Sequence, residues 1–272
     1  MRAKYKKKSK QKIILITADE TRHRFFKNKI NELDDFHLSL CVYEDNKKRQ
    51  STIVKKNKSF PLKLKKHFEE RSFYEKKYLK FSKNKKIKEV KISRGELNYN
   101  IKLVEKIIKL KPDFIISYGC SLIKNKLIKK FNKKFINLHL GLSPYYKGSG
   151  TNFWPIANNE FQFLGATFMF IDEGIDSGPI IHQYRPSIDV NDNIHTIGCK
   201  IIFQSVYELQ KILLNFKQIK ALRQKKIKYS KIYKKKDFSV GSLQNAKKNL
   251  KKIKNYLRIK QQIDYKFPII SI

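Results

Sequence analysis

The chain has 272 residues, which is enough for one sizeable domain with a hydrophobic core. Its 62 Lys and Arg residues against 23 Asp and Glu give a formal net charge of +39, so a polyanionic partner such as nucleic acid or an anionic membrane has to be considered first. Because the lysines are spread through every segment and seldom alternate with aromatic residues, we favour a solvated basic surface that reflects compositional bias.

The cysteines and the N-terminus indicate the compartment. Cys41, Cys120 and Cys199 are widely spaced and odd in number, which argues against a disulfide framework and for reducing conditions. Residues 1–11 form a basic N-terminal segment, but the apolar run that follows, Ile13 to Ile16, is too short for a signal peptide, and no stretch reaches transmembrane length. We therefore expect a soluble, cytoplasmic protein with no membrane partner and no metal site.

The chain opens with a strand, a turn and a helix. Lys12 to Thr17 is a buried strand, and the following apolar residues recur at helical spacing: Phe25, Phe26, Ile30 and Leu33. The turn between them, Asp19 to Arg24, has no glycine and is therefore neither a dinucleotide fingerprint nor a P-loop. Arg22, near the helix N-terminus, is a candidate for holding a substrate phosphate, and solvated surface charge is the alternative.

A second strand, His37 to Val42, precedes a change in composition over residues 46–91. Lysine dominates this segment and apolar positions become sparse. The pattern predicts a poorly packed helical excursion around Phe60 to Lys80, ending in the alternating segment Ile87 to Ile92. We interpret residues 46–91 as an insertion or a mobile lid.

Alternation of helices and strands resumes after residue 100. Strands are predicted at Asp113 to Tyr118, Phe135 to Leu140, Gly165 to Ile171 and Ile180 to Tyr184, and a long helix follows from its N-cap at Asp192. Such alternation predicts an α/β fold with a doubly wound, mainly parallel twisted sheet over residues 12–216. Residues 217–272 are predicted to form a short, basic, helical tail.

The strand Phe135 to Leu140 carries the chemistry of greatest interest. Side chains alternate along a strand, so Asn137 and His139 project to the same face. The strand opens into a turn-rich loop at the carboxyl edge of the sheet, where α/β proteins bind ligands. An amide and an imidazole together can donate two hydrogen bonds to one developing oxyanion.

Three spaced elements resemble the 10-formyltetrahydrofolate-dependent formyltransferases, a Rossmann-like family. These elements are Asn137-Leu138-His139, the loop Leu142-Ser143-Pro144 with Gly148, and Asp172-Glu173-Gly174-Ile175-Asp176-Ser177-Gly178-Pro179. The family includes glycinamide-ribonucleotide, methionyl-tRNA and sugar-nucleotide N-formyltransferases. The resemblance is dense from Pro112 to Gln183, looser elsewhere, and absent from the Lys-rich middle.

The resemblance implies catalytic roles for three residues. Asn137 would orient the formyl carbonyl and donate to the oxyanion of a tetrahedral intermediate, which His139 would stabilise as an imidazolium. Asp176 would lie against His139, favour its charged form, and order a water that relays the proton of the attacking amine. Taken singly, these residues are also explained as a strand-end amide, a core histidine and a turn cap.

The resemblance also implies a site for 10-formyltetrahydrofolate as co-substrate, with the pteridine between Gly119 to Ile123 and the loop Ile171 to Ile175. The residues expected to line it are Gly119, Ser121, Leu122, Ile123, Ile171, Asp172, Gly174 and Ile175. The residues expected near the acceptor are Arg22, Ser143, Lys147 and Gly148.

Two departures from the family restrict the acceptor. The first turn lacks the Gly-Ser-rich sequence of glycinamide-ribonucleotide formyltransferase, and the tail from Lys217 is too short for the C-terminal β-barrel of methionyl-tRNA formyltransferase. The expected reaction is formyl transfer to a primary amine of a small anionic acceptor, such as an amino sugar or a sugar nucleotide. The alternatives are a formyltetrahydrofolate hydrolase, and a methionyl-tRNA formyltransferase-like or RNA-binding protein with nucleic acid as its partner.

Overall fold

The computed structural model of the chain describes residues 9–47, 49–82, 87–124, 126–225, 227–228 and 230–272. Most of the predicted basic segment 1–11 lies outside the described residues. Within the described ranges, no helix is both long enough and apolar enough to cross a membrane.

Strands and helices alternate over the first half of the chain. They are β1 (Gln11–Ala18), α1 (Thr21–Glu32), β2 (Phe36–Glu44), α2 (Gln50–Lys56), α3 (Leu62–Tyr78), β3 (Glu89–Ile92), α4 (Ile101–Lys109), β4 (Phe114–Tyr118), α5 (Lys126–Lys130) and β5 (Phe135–His139). The second half contains β6 (Tyr146–Gly148), α6 (Trp154–Ala157), β7 (Ala166–Phe170), β8 (Ile180–Tyr184), α7 (Ile194–Leu214), β9 (Lys231–Tyr233), α8 (Val240–Leu250) and α9 (Ile253–Lys266).

The seven-stranded sheet has the order β3-β2-β1-β4-β5-β7-β8. The pairs from β3 to β5 are parallel, and β7 and β8 are antiparallel to their neighbours. Along β1, Ile13 and Leu15 belong to the core beneath α1, α3 and α7, whereas Ile14 and Ile16 belong to the core beneath α4 and α5. Both faces are covered, so the predicted doubly wound, mainly parallel α/β fold is confirmed.

The strand order places a binding crevice between β1 and β4. From β1 the chain proceeds outward to β2 and β3, and then returns to β4 on the other side of β1. At such a reversal the connections leave the carboxyl ends of adjacent strands in opposite directions, which opens a crevice. The segments after β1, β4 and β5 meet there.

The N-terminus of α7 differs by one residue from the prediction. Its N-cap is Asn193, whose side chain accepts hydrogen bonds from the backbone N–H groups of His195 and Thr196. The predicted N-cap, Asp192, instead contacts Lys200 at 2.5 Å. An Asp and an Asn are equally suitable caps, so the sequence alone does not separate two adjacent candidates.

The prediction of a poorly packed excursion is wrong for one face of helix α3, which packs on the core, whereas Leu62 and Phe73 of the same helix are exposed. Leu64 and Phe68 are buried in the same core as Val54 of α2. Glu75 is also buried, because Arg22 of α1 neutralises it at 2.5 Å. The low apolar content concealed this packing, since part of the buried face is charged. The role of residues 46–91 as a lid stays a prediction.

The residues after 217 are built onto the same domain. Helices α8 and α9 match the predicted helical tail, and four of their residues are buried in the main core: Leu243, Ala246, Ile253 and Tyr256. Strand β9, which was not predicted, pairs in parallel with β6. The division of the chain at residue 216 stays a prediction, and residues on both sides of it share one core.

The outer strand β8 is accompanied by the C-terminal part of the chain. Ile180 and Leu222 exchange two backbone hydrogen bonds of 2.8 Å. Further along β8, the Gln183 N–H donates to the Ile270 carbonyl at 2.6 Å, and the Ile272 N–H donates to His182 Nδ1 at 3.2 Å. The edge of the sheet at β8 is therefore covered by two separate segments.

The pairing of β6 with β9 depends on a glycine. Gly148 has φ +90°, and a Cβ placed on it would lie 2.3 Å from the Tyr233 carbonyl oxygen. We expect Gly148→Ala to separate the two strands and to lower the free energy of unfolding by about 2 to 4 kcal/mol, as measured by urea denaturation.

Gly241→Ala is the matched control. The nearest side-chain atom to a Cβ at Gly241 is at 3.8 Å, and the residue lies in α8, where alanine is expected to stabilise the chain by up to about 1 kcal/mol. Equal effects of the two substitutions would contradict the close approach of the two strands.

Candidate active site

A cavity of about 540 Å³ lies at the carboxyl ends of β1, β4 and β5. Its wall is formed by the β1–α1 turn, α3, α7, the loop after β7 and residues between Tyr233 and Phe238. Twelve of the residues predicted to react or to bind ligand line this cavity: Arg22, Gly119, Ser121, Leu122, Asn137, His139, Gly148, Ile171, Asp172, Gly174, Ile175 and Asp176.

The carboxylate of Asp176 joins the three predicted catalytic residues. Its Oδ2 lies 3.2 Å from His139 Nδ1, and its Oδ1 accepts a hydrogen bond from Asn137 Nδ2 at 3.2 Å. The backbone N–H of Gly148 also donates to Oδ2, at 2.8 Å. The carboxylate thus receives donors from β5 and β6 and fixes the imidazole and the amide beside each other.

His139 is buried, and each of its ring nitrogens faces a hydrogen-bond acceptor. Nδ1 faces the Asp176 carboxylate, and Nε2 lies 2.8 Å from the Tyr146 carbonyl oxygen. A neutral imidazole has one N–H and can satisfy only one of these acceptors, whereas the imidazolium satisfies both. Both ring nitrogens therefore already have partners within the protein. A direct hydrogen bond from the ring to a ligand requires that one of these two contacts be exchanged.

The amide of Asn137 has a fixed orientation. Its Oδ1 accepts from Ser117 Oγ at 2.9 Å, and its Nδ2 donates to Asp176. Nδ2 carries two hydrogens, and this contact uses one of them. The second hydrogen is available for a hydrogen bond to a ligand in the cavity.

The loop that carries Asp176 has an unusual backbone, because Asp176 has φ +48°. Within the loop, the carboxylate of Asp172 accepts from Ser177 Oγ at 2.9 and 3.0 Å and from the Gly174 N–H at 3.1 Å. From outside, Gln224 Nε2 donates to the carbonyls of Asp176 and Gly178. Gln224 was not predicted, since no motif or periodicity marks it in the basic tail.

Three predicted ligand residues are not among the residues that line the cavity, and their ligand roles stay predictions. Ile123 is buried in the core beneath α4 and α5. Ser143 is buried, and its backbone contacts Thr167 and Gln183. Lys147 is half-exposed on β6. The backbone groups of its two neighbours, Tyr146 and Gly148, contact the site instead.

Arg22 lines the cavity, but its charge is already paired. Its guanidinium contacts Glu20 and Glu75, and Arg71 contacts Glu20 at 3.0 Å. Burial acts to lower the pKa of Arg22, but the two carboxylates raise it above its ordinary value. The contacts that the structure shows for Arg22 are those of a buried ion-pair network, and its role as a phosphate ligand stays a prediction.

Two histidines from two different helices also line the cavity. His67 of α3 and His195 of α7 have ring centroids 4.8 Å apart. Burial, together with nearby His195 and Arg71, lowers the pKa of His67 to about 2. Burial also lowers the pKa of His195 to about 4, although Glu70 opposes this. Among the residues that the structure describes, no group of three His, Cys, Asp or Glu could hold a metal ion.

The low pKa of His67 predicts an acid-sensitive stability. In the unfolded chain a histidine takes up a proton below its ordinary pKa of 6.5, whereas folded His67 resists protonation to about pH 2. The contribution of His67 to the free energy of unfolding is therefore fully present above about pH 6.5 and falls as the pH decreases towards 2. Between pH 7.5 and 5.5 we expect His67→Phe to reduce this fall, measured by urea denaturation, by about 1.4 kcal/mol.

His37→Phe, at an exposed position on β2, is the control and is expected to leave the slope unchanged. If His67→Phe had the same pH dependence as the unmodified chain, protonation of His67 would not be coupled to unfolding.

The chain belongs to the formyl transferase family, which matches residues 11–212. It is 32% identical over 117 residues to methionyl-tRNA formyltransferase of Thermodesulfovibrio yellowstonii, covering 40% of this chain and 37% of that protein. It is also 32% identical over 108 residues to GDP-perosamine N-formyltransferase of Brucella melitensis, covering 39% and 41%. The matched part is thus less than half of the length of either relative.

Solved structures share the fold at low identity. The N-formyltransferase of Helicobacter canadensis, crystallised with folinic acid and dTDP-3-aminofucose, aligns over 89% of this chain and 81% of that chain. Its TM-score is 0.51 at 20% sequence identity. This agreement concerns the fold, and the predicted family resemblance is confirmed by the match over residues 11–212.

Proposed function

We propose that the chain transfers the formyl group of 10-formyltetrahydrofolate to a primary amine of a small anionic acceptor. An amino sugar or a sugar nucleotide is the first acceptor class to test. The observation that carries the proposal is the direct contact of Asp176 with both Asn137 and His139 in the cavity wall.

Asn137, His139 and Asp176 each have a separate role in the proposed reaction. The acceptor amine attacks the formyl carbon, and the carbonyl oxygen becomes an oxyanion stabilised by the Asn137 amide and the His139 cation. Asp176 accepts the amine proton, through an ordered water, and the proton is delivered to N10 of the folate. The bond between the formyl carbon and N10 then breaks, which gives tetrahydrofolate and the N-formyl product.

Apolar side chains at the cavity support a folate site between two loops. Leu122 and Ile175 belong to the two loops expected to enclose the pteridine, and they are 37% and 44% exposed. Large apolar residues that remain exposed in a cavity are suited to a flat aromatic ligand. The co-crystallised folinic acid of the Helicobacter canadensis relative is consistent with such a ligand.

The charge of the cavity wall supports an anionic acceptor. The described residues that line the cavity include more Lys and Arg than Asp and Glu. There are six of the first kind (Arg22, Arg49, Arg71, Arg94, Lys234 and Lys235) and four of the second (Glu20, Glu75, Asp172 and Asp176). The excess of positive charge attracts an anionic substrate. The names of two relatives, which act on GDP-perosamine or were crystallised with dTDP-3-aminofucose, point to the same class.

The test is a spectrophotometric assay of tetrahydrofolate release from 10-formyltetrahydrofolate. A panel of dTDP-amino and GDP-amino sugars and of unsubstituted amino sugars is compared with an amine-free control. Amine-dependent release identifies a transferase and its acceptor class. Release without amine would indicate the hydrolase instead, and a folded chain that neither releases nor binds folate would contradict the proposal.

A further inference from the structure

Gln224 contacts the backbone of the loop that carries Asp176. The half-buried Gln224 side chain donates from Nε2 to the Asp176 carbonyl at 2.9 Å and to the Gly178 carbonyl at 2.8 Å. Two acceptors at one end of the amide fix the nitrogen there, because the amide oxygen cannot donate. Gln224 Oε1 is buried and has no partner among the described residues, so the contacts of this side chain are those of its Nε2.

The loop needs external support at this position. Asp176 has φ +48°, a region that Asp tolerates but that costs free energy relative to ordinary backbone. Such a conformation persists where the surroundings hold it. Beside Gln224, the Ile180 and Leu222 backbones exchange two hydrogen bonds of 2.8 Å, so the C-terminal segment runs along the loop from residue 222 to residue 224.

The opposite side of the loop is confined by β7. A Cβ at Gly178 would lie 1.8 Å from the Phe170 carbonyl oxygen, and the Phe170 N–H donates to the Pro179 carbonyl at 2.9 Å. The loop is therefore held between β7 and the 222–224 segment. Its Asp176 carboxylate makes three contacts of 2.8 to 3.2 Å, which a displacement of about 1 Å would disrupt.

We propose that Gln224 is a positioning residue, which holds the Asp176 backbone so that its carboxylate meets His139 and Asn137. The inference rests on the proposed function for its catalytic consequence, and on geometry alone for the clamp itself. Residue 224 lies beyond the family match at residues 11–212. The chain after residue 217 thus contributes a positioning residue to the site from outside the matched region.

The experiment compares Gln224→Leu and Gln224→Glu with the matched control Gln244→Leu. Leucine removes both donors, and glutamate keeps the shape of the side chain but presents an acceptor to two carbonyls. Gln244 is exposed on α8, away from the loop, and it receives the same substitution. Amide hydrogen exchange of residues 171–181 is measured without substrate, and kcat and KM are measured with 10-formyltetrahydrofolate and the amino sugar of the panel that gives the fastest release.

Both Gln224 variants are expected to exchange about tenfold faster in this segment. Their kcat is expected to fall by roughly 10- to 100-fold, while KM for 10-formyltetrahydrofolate changes less than about threefold. Gln244→Leu should match the unmodified chain in both measurements. A Gln224→Glu variant with unchanged exchange would show that shape, and not donation, is what matters, and would overturn the proposal.

The two measurements separate this inference from the proposed function. If the unmodified chain shows no formyl transfer, the exchange result still decides whether Gln224 clamps the loop. If exchange accelerates while kcat stays unchanged, the loop is clamped but the clamp does not position Asp176, and the proposal is overturned.

Discussion

His139→Ala is expected to lower kcat for formyl transfer by about 1000-fold. The imidazole contacts Asp176 in the cavity wall, and under the proposed function its removal takes away the group that stabilises the tetrahedral oxyanion. The rate of tetrahydrofolate release at saturating folate and acceptor measures the effect. Folate binding should persist, because the expected pteridine walls lie on other loops.

Two controls accompany this substitution. His37→Ala changes an exposed histidine on β2 and should leave kcat unaltered. Circular dichroism and the urea midpoint check that loss of the Tyr146 contact has not unfolded β6. A folded His139→Ala variant that keeps more than about a tenth of the activity would exclude the imidazole from the chemistry.

Asp176→Asn is expected to reduce kcat by a similar factor, about 1000-fold, for a different reason. The amide keeps the size of the side chain, and asparagine tolerates the positive φ, so the loop should remain folded. The substitution removes the negative charge. In the unmodified chain Asn137 and the Gly148 N–H both donate to the carboxylate, whereas the amide of the variant offers them only one acceptor oxygen. Steady-state kinetics at several pH values measure the loss.

Asp176→Ala separates the chemistry from the backbone. Alanine at φ +48° carries an added cost of about 1 to 2 kcal/mol, so this variant should be less stable than Asp176→Asn while being equally inactive. If Asp176→Asn retained nearly full activity, the carboxylate would serve only to hold the loop.

The sequence predicts those parts of this protein that depend on local pattern or on a motif. The order of strands and helices follows from apolar runs and helical spacing, and the prediction holds to within two residues along β1, β4 and β5. Asn137, His139 and Asp176 could be grouped beforehand because the motif fixes their spacing, and the structure places them in contact.

Other features depend on contacts between distant parts of the chain. Arg22 meets Glu75, 53 positions away, so a residue that resembles an anion ligand is neutralised inside the wall. Gln224 lies in a basic tail without periodicity, and its function depends on the carbonyl groups that it meets. The packing of helix α3 could not be predicted, because charged residues occupy part of the face that apolar residues usually form. None of these relations leaves a signal in a single sequence.

The cover on β8 has a consequence for the solution behaviour of shortened chains. An uncovered outer strand offers unpaired N–H and C=O groups to a strand of another molecule. A chain cut after residue 216 would lose Leu222 and Ile270 from that edge and would also uncover the apolar surface beneath α8 and α9. We expect such a fragment to elute from size-exclusion chromatography at a larger apparent size than the full chain, because it self-associates.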